Sequence, residues 1–456
     1  MSRDLTVPRR AFIVGGTAIV AGAALLSMRR CSKSRTAPEL VRPVETVPLA
    51  DGQHALPRTE PVVRVRVIRG GRDALVFGDD GQWLASEPLT DSIDAEALDR
   101  TRFMPLEAPV RVERRDGEWR VRDRTGYGPD LPTTSWVLRA LDETAATTVK
   151  LDGVPHAGKF VLHALDDEAP NRFDVVNHLG MESYLPGVLA GELYPHWEFQ
   201  TFAAQAVAAR SFASAERAHY GERRHFDLTN TTRSQMYTPD AVHPRAREAV
   251  AMTRGEVIAY GGGLVPGYYS SCCGGASADA RYAIGPSPTN DLPPLRGRIE
   301  PDVCTDAPRY RWTMERSIDE CTARLAAFGA SRRLTHLAAL TALESVEPTT
   351  RTGSGRPIAY RLHGSGGHTV ELQAPLLRRG LDFATDSLPR PQRRLYASHL
   401  AIEPRAGSMM QITGQGFGHG VGLCQFGAQA LAQDGMHYAD IIPWYYPGSS
   451  VERTYD

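Results

Sequence analysis

The sequence feature that most constrains the fold is a long alanine-rich segment, EFQTFAAQAVAARSFASAERAH, at residues 198–219. This segment predicts one long helix. Phe199, Phe202 and several alanines recur at three- and four-residue steps along it, which predicts a single buried stripe. Because alanine side chains are small, the stripe also predicts close packing against neighbouring elements.

Shorter elements are predicted on both sides of this helix. FDVVNHL at residues 173–179 is typical of a strand, and residues 181–193 predict a short helix broken by Pro186 and Gly187. Residues 243–255 predict another helix, since a proline stands in its first turn and a glycine follows its end. A hairpin around residues 261–263 and a C-terminal strand, glycine-rich loop and helix complete the pattern.

The region before residue 169 has a different texture. Alternation such as Val63, Val65 and Val67 against Arg64 and Arg66 predicts short strands as far as about residue 170. We therefore predict an α+β fold, with a small β-rich domain at residues 61–168. A mixed α+β domain with a substrate cleft follows at residues 169–456, including a divergent insertion at about 290–370.

The first 30 residues predict export. Arg9 and Arg10 precede an uncharged, mostly apolar run at residues 11–28, in a pattern similar to a twin-arginine signal. This length lies between a signal-peptide core and a short membrane span, so cleavage and uncleaved anchoring by residues 11–28 both stay open. The proline-rich residues 31–60 predict a flexible tether. We expect the protein in the cell envelope or periplasm.

The charge and composition of the chain limit the kinds of ligand and partner that it is expected to bind. Residues 1–30 hold five Arg and one Asp, so the net charge of −1 becomes −5 without them. Nothing in this balance indicates nucleic-acid binding. The six cysteines include no Cys-x-x-Cys pair, and no cofactor motif is found. The loop GQGFGHGVG lacks the following Lys-Ser/Thr of a phosphate-binding loop, so we expect no nucleotide there.

Four motifs, in this order, resemble the SpoIID/LytB family, named for stage II sporulation protein D and an amidase enhancer. They are MESYLPGVLAGELYPHWEFQTFAAQAVAARSFA, SQMY, TRGEVIAYGGGLVPGYYSSCCGG and GQGFGHGVGLCQFGAQALAQDGMHYADIIPWYYPG. The resemblance covers roughly residues 170–285 and 370–450. It implies action on peptidoglycan glycan strands, with strands stripped of their stem peptides as the preferred substrate of the sporulation member.

The resemblance places the family's catalytic glutamate at Glu192. Some members are lytic transglycosylases, which cut beside N-acetylmuramic acid and leave a 1,6-anhydro end. In that reaction one carboxylic acid protonates the leaving oxygen and then accepts the proton of the attacking C6 hydroxyl. Burial that raises the pKa of the acid helps such a role, and the candidate apolar lining is Leu193, Tyr194 and Trp197. A purely structural Glu192, paired with Arg210, is the alternative.

Two other functions stay open. The chain could be a non-catalytic peptidoglycan-binding module that stimulates a cell-wall amidase. It could also be a hydrolase that uses a second carboxylate, for which Asp174, Asp227 and Asp240 are candidates. Glu182, near a helix start, is interpreted as structural because a negative charge there suits the helix dipole.

The family motifs also indicate substrate-binding residues. His419 and Gln425 belong to the cleft signature, and the flanking Gly418 and Gly420 let the backbone approach a ligand or adopt positive φ. A structural role for His419 is the alternative. Other side chains match motif positions with less defined roles: Gln205, Arg210, Ser234, Gln235 and Tyr237.

The cysteine-containing motif departs from the family pattern. Some members hold a zinc ion near this cysteine, but Ser270 stands where many members have histidine. We therefore expect no metal site, and instead a disulfide from Cys273, or from Cys272, to Cys304. Buried free thiols are the alternative, and Cys424 is interpreted as a small packed residue.

Overall fold

The computed structural model describes residue 49 and residues 52–71, 74–89, 104–128, 130–131, 135–142, 147–165, 171–240, 243–298 and 303–456. The predicted export segment at residues 1–30 lies outside these residues, as does most of the predicted tether. All of the described residues belong to one unit, Thr46–Asp456. No helix among them is long and apolar enough to span a membrane.

The N-terminal part is built from strands, as the alternating sequence predicts. The strands are β1 Val62–Gly71, β2 Leu75–Phe77, β3 Trp83–Leu89, β4 Met104–Glu107, β5 Val110–Arg115, β6 Glu118–Arg122, β7 Asp130–Leu131, β8 Ser135–Ala140, β9 Thr148–Leu151, β10 Val154–Ala157, β11 Lys159–Ala164, β12 Phe173–Gly180 and, further along the chain, β13 Leu228–Thr229. They form a sheet in the order β13-β1-β12-β11-β8-β3-β4 and a second in the order β10-β9-β2-β5-β6-β7.

One apolar core joins these two sheets. Phe77 and Trp119 from the second sheet and Trp136 and Phe160 from the first are fully buried in the same cluster. Strand β5 shows the physical cause, because its buried and less buried residues alternate as a strand with one face on a core requires. The first sheet includes β12 and β13, which follow residue 168, so it also anchors the next part of the chain.

Three helices follow this sheet. They are α1 Met181–Glu192, α2 Phe199–Tyr220 and α3 Pro244–Met252. Helix α3 begins with its proline in the first turn, which confirms that prediction. Helix α1 contradicts the predicted break, because it runs through Pro186 and Gly187. Gly187 is needed for packing instead: a Cβ atom there would lie 2.7 Å from the Thr238 carbonyl oxygen.

Helix α2 is confirmed, but its predicted single stripe is wrong. All residues from Thr201 to Ala215 are buried, on every face of the helix. Ala203, Ala206 and Ala209 pack into one core with α1, while Ala204 and Ala208 pack into a second core with the C-terminal part of the chain. The helix therefore lies between two cores, which explains why both faces are rich in alanine.

The C-terminal part alternates helices with three-stranded and two-stranded sheets. Its elements are β14 Glu256–Tyr260, β15 Gly263–Leu264, β16 Tyr269–Ser270, α4 Ala280–Ala283, β17 Arg311–Ser317, α5 Ile318–Arg332, α6 Thr335–Ala338, β18 Leu343–Arg351, β19 Pro357–Gly364, β20 His368–Gln373, α7 Ala374–Leu381, β21 Leu400–Arg405, β22 Met409–Gln415, β23 Leu423–Cys424, α8 Gln425–Gln433, α9 Tyr438–Tyr445 and β24 Ser450–Arg453. The β14–β15 hairpin confirms the predicted turn at residues 261–263. The predicted α+β fold class is confirmed.

Residues 52–60, which fall within the predicted tether, contact the folded unit. The Gln53 side-chain amide donates to the Tyr260 carbonyl oxygen at 2.8 Å, and Glu60 forms an ion pair with Arg254 at 2.6 Å. Glu60 also accepts a hydrogen bond from the Glu182 backbone amide at 3.1 Å. The predicted tether therefore does not extend to residue 60.

Candidate active site

Glu192 is the last residue of α1, and two distant segments hold its carboxylate. One oxygen accepts a hydrogen bond from the Met236 backbone amide at 2.8 Å. The other accepts one from the Gln425 side-chain amide at 3.3 Å. The chain turns to extended backbone at Leu193, so the carboxylate stands at the C-terminal end of the helix.

The surroundings of Glu192 favour its protonated form. Burial raises the pKa of the Glu192 carboxyl; hydrogen bonds from Met236 and Gln425, together with the nearby Tyr269 hydroxyl, oppose part of that shift. The helix dipole also disfavours a negative charge at this end. No basic side chain of the described residues forms an ion pair with Glu192. A raised pKa suits this carboxyl to the role of general acid better than the pKa of an ordinary glutamate would.

The predicted apolar lining divides into two parts. Leu193 and Trp197 are buried in the core that contains α1, whereas Tyr194 is 51% exposed. The Trp197 ring lies 5.2 Å from the Tyr194 ring and 5.0 Å from the Phe426 ring. Phe426 follows Gln425 in α8, and this group of three aromatic rings reaches the surface through Tyr194.

Strand pairing brings α8 and Tyr269 to the same place. Strands β16 and β23 are parallel, with Tyr269 opposite Leu423 and Ser270 opposite Cys424. Gln425, at the first position of α8, therefore follows directly from the strand beside Tyr269. Burial, together with the charge of Glu192, raises the pKa of the Tyr269 phenol, so this hydroxyl stays protonated and able to donate.

The motif at residues 234–237 contributes mainly through its backbone. The Ser234 hydroxyl accepts a hydrogen bond from the Thr229 amide at 3.1 Å. Gln235 is fully buried, accepts from the Tyr184 hydroxyl at 3.1 Å and donates to the Ala209 carbonyl at 3.3 Å. These side chains hold the segment so that the intervening amide of residue 236 reaches Glu192. The Tyr237 ring packs 5.0 Å from the Tyr184 ring.

Arg210 occupies a structural position rather than the predicted substrate-binding one. Its guanidinium is fully buried and forms an ion pair with Glu182 at 2.7 Å. The interpretation of Glu182 as structural agrees with this pair. Gln205 is also fully buried, and its side-chain amide makes no hydrogen bond with the described residues.

His419 braces the glycine-rich loop. Its Nδ1 accepts a hydrogen bond from the Val421 amide at 3.0 Å, and its ring also bonds the Tyr269 backbone. Burial and the positive charge of Arg356 lower the pKa of His419 to about 4, so the ring is neutral. Gly420 has a φ of 78°, and a Cβ atom there would lie 2.8 Å from the Arg356 guanidinium. His419 therefore makes hydrogen bonds within the protein, to the backbone of Val421 and Tyr269.

The candidate second carboxylates are committed elsewhere or lie at the surface. Asp174 is buried and bonds Arg66 and His225, each at 3.0 Å. Asp227 is buried and forms an ion pair with Arg64 at 2.6 Å. Asp240 is exposed. None of the three contacts Glu192 in the described part of the chain.

The predicted disulfide between Cys273 and Cys304 is not formed among the described residues. Both thiols are free, and their sulfur atoms are 3.7 Å apart, compared with 3.6 Å between Cys272 and Cys304, far longer than a disulfide bond. The neighbouring thiols of Cys272, Cys273 and Cys424 hydrogen-bond Cys304 and lower the pKa of its thiol. Cys424 is therefore part of a thiol cluster, not only a small packed residue.

Sequence reasoning missed two groups that act on Glu192. The Met236 contribution comes from a backbone amide, which no side-chain pattern reveals. Tyr269 lies in the YYSSCCGG stretch, beside the cysteines. Its place in that motif was the one feature of the sequence that could have indicated a role near Glu192.

Comparisons with known proteins identify the central segment. Residues 169–260 match the family model of the stage II sporulation protein, SpoIID, and residues 299–422 match a domain of unknown function. The second match overlaps the insertion predicted at about residues 290–370. The family resemblance read from the sequence is confirmed.

Three curated relatives each match between 59% and 66% of this chain. An uncharacterized protein of Brachyspira hyodysenteriae is 29% identical over 66% of this chain and 73% of its own length. The stage II sporulation protein D of Bacillus amyloliquefaciens is 24% identical over 61% of this chain and 76% of its own length. The amidase enhancer of Bacillus subtilis is 23% identical over 59% of this chain, but only 40% of that protein's length is covered.

Proposed function

We propose that this chain, whose residues 169–260 match the family model of the stage II sporulation protein, is an exported lytic transglycosylase of peptidoglycan. The matched family is linked to cell-wall processing, which supports the substrate class. The observation that carries the proposal is the Glu192 carboxyl, whose pKa is raised by burial and whose hydrogen-bond donors among the described residues are neutral amides.

In the proposed reaction Glu192 serves first as the acid and then as the base. Its proton passes to the glycosidic oxygen as the bond to the anomeric carbon of N-acetylmuramic acid breaks. The C6 hydroxyl of the same sugar attacks that carbon, and its proton passes to the Glu192 carboxylate. No water is consumed, so one carboxyl is enough, and the enzyme returns to its starting protonation state.

The surrounding groups have supporting roles. Met236 and Gln425 donate to the two carboxylate oxygens, which orients the carboxyl and limits how far its pKa rises. Tyr194, two residues after Glu192 in the chain, exposes its ring and offers an apolar face on which a sugar ring can lie. Asp174 and Asp227 each bond a basic partner, which argues against a two-carboxylate hydrolase.

A second function, a non-catalytic module that stimulates a cell-wall amidase, is favoured by one comparison. A relative of the chain is named an amidase enhancer, at an identity similar to that of the sporulation proteins. The same exposed aromatic surface would serve glycan binding without cleavage. In this case Glu192 would orient the bound glycan.

Mass spectrometry of the products from peptide-stripped glycan strands tests the proposal. The wild-type chain should release 1,6-anhydro ends, and Glu192→Gln should release none. Reducing ends would indicate a hydrolase instead. Glycan strands that bind to the chain but are not cleaved would reject the transglycosylase. If the chain also raised the rate of a cell-wall amidase in the same assay, the enhancer function would be supported.

A further inference from the structure

Four cysteines from three distant segments converge in the core beside the candidate active site. Cys272 and Cys273 follow β16, Cys424 ends β23, and Cys304 lies between them in the chain. All four are buried. One sulfur atom from each of Cys272, Cys304 and Cys424 lies within 4.8 Å of the other two.

The sulfurs of Cys272, Cys304 and Cys424 lie close enough together to share one metal ion; the Cys273 sulfur is outside this group but is near that of Cys304. The Cys304 sulfur is 3.6 Å from the Cys272 sulfur and 3.7 Å from the Cys273 sulfur. Four thiolates around zinc, with Zn–S bonds of about 2.3 Å, place their sulfurs about 3.8 Å apart. A disulfide would require about 2.05 Å. Since Cys304 is almost equally far from two cysteines, the geometry also favours no single disulfide partner.

The hydrogen bonds around the cluster suit thiolate sulfur. The Cys424 sulfur accepts backbone amides of Cys273 at 3.3 Å and Gly427 at 3.4 Å. Such N–H···S bonds orient metal-bound thiolates. They also explain why the segments after β16 and β23 approach so closely.

A buried positive charge lies next to the cluster. Arg356 is 5% exposed, and its guanidinium donates to the carbonyls of Cys273 and Ala276, each at 2.8 Å. No carboxylate of the described residues forms an ion pair with it. A zinc ion with four thiolates carries a net charge of −2, and a buried charge of this kind needs a nearby counter-charge. Arg356 supplies part of it.

We propose that Cys272, Cys304 and Cys424 bind one zinc ion, and that the Cys273 side chain turns toward the ion as the fourth ligand. The donor set contains no histidine, so it is independent of the Ser270 position, and it reverses our expectation that the chain has no metal site. Four protein ligands close the coordination sphere, which is typical of a structural zinc site rather than a catalytic one. Because Gln425 follows Cys424, the ion would fix the start of α8 and hence the amide that reaches Glu192.

Metal analysis of the purified full-length chain tests the site, independently of any activity on glycan. After reduction and reconstitution with zinc, the wild type should hold about one zinc per chain. Cys304→Ser and Cys424→Ser should each lose most of it. Cys321→Ser is the matched control, because Cys321 is equally buried but lies in α5, within another core; its zinc content should equal that of the wild type.

Two measurements on the unmodified chain keep the test decisive if a serine variant does not fold. Cobalt substituted for zinc should give the intense visible absorption of a tetrahedral thiolate site. Titration of thiols should show four cysteines that react only after a chelator is added. Wild-type chain without zinc and with a Cys304 disulfide in non-reducing peptide maps would overturn the proposal. Iron in place of zinc, or full zinc retention in both serine variants, would do so as well.

Discussion

The two glutamates of α1 stand at opposite ends of one helix and meet opposite environments. Glu182 lies in the first turn, where the helix dipole favours a negative charge. Its carboxylate pairs with the buried Arg210 at 2.7 Å and accepts the Tyr455 hydroxyl at 2.7 Å. Burial alone would raise the pKa of Glu182, but the hydrogen bonds and charge of Arg210, with Tyr455 and Gly255, lower it.

Glu192, at the other end, is half-buried and has no such cation among the described residues. Its hydrogen-bond partners are the neutral amides of Met236 and Gln425, so burial dominates and its pKa is raised. The comparison shows that a cationic partner, more than burial, decides the direction of the pKa shift in these two glutamates. Glu182 is suited to stability and Glu192 to proton transfer.

The largest effect expected from this comparison is on turnover. Glu192→Gln keeps the shape of the side chain but removes the proton that is transferred. If Glu192 is the acid and base, turnover on peptide-stripped strands should fall by ~10²–10⁴-fold, and the melting temperature should not fall. Full turnover would reject the catalytic role, whereas loss of the fold would make Glu192 structural.

The next effect should appear in stability and not in chemistry. Glu182→Gln leaves the Arg210 charge buried without its counter-charge, and the side chains of this pair are only 9% and 0% exposed. The free energy of unfolding in urea should fall by ~3–5 kcal/mol. Turnover per folded molecule should stay near that of the wild type. A loss below about 1 kcal/mol would show that the pair behaves like a surface ion pair.

A smaller effect should follow from loss of a neutral donor to Glu192. Gln425→Ala removes the hydrogen bond to one carboxylate oxygen, whose net value is about 0.5–1.5 kcal/mol. Turnover should fall by about tenfold or less. Because this bond lowers the pKa of Glu192, the basic limb of the pH–rate profile should move to higher pH. An unchanged profile would show that Gln425 does not act on Glu192.

The smallest effects should appear when stability is measured against pH. The raised folded pKa of Glu192 contributes stability below the unfolded value of about 4.3, and that stability is lost as pH rises through the folded pKa. Glu192→Gln should therefore gain stability over the wild type toward neutral pH. For Glu182 the lowered pKa reverses the sign: the deficit of Glu182→Gln should be full above about pH 4.3 and vanish in acid. If the free energies of unfolding of Glu192→Gln and Glu182→Gln changed with pH in the same way, the contrast between the two glutamates would be contradicted.

Local patterns were enough to predict much of the secondary structure. The long helix at residues 198–219, the proline-started helix at Pro244 and the hairpin at residues 261–263 all depend on short-range preferences, and all are present. The single stripe on α2 was wrong because both faces of that helix are covered by cores formed from distant parts of the chain. The break at Pro186 was wrong because packing against residues 237 and 238 stabilises a helix that the local sequence disfavours.

The sequence by itself determined the fold class, the family resemblance and the candidate glutamate, because these depend on residue order and local periodicity. Only the tertiary structure decided the partners. Arg210 forms its ion pair with Glu182 and not with Glu192, and the backbone amide of Met236 donates a hydrogen bond to the carboxylate of Glu192, the candidate acid. The tertiary structure also brought Cys304 and Cys424 to Cys272. Contacts between residues so far apart in the chain arise from packing of whole helices and strands, and no local pattern encodes them.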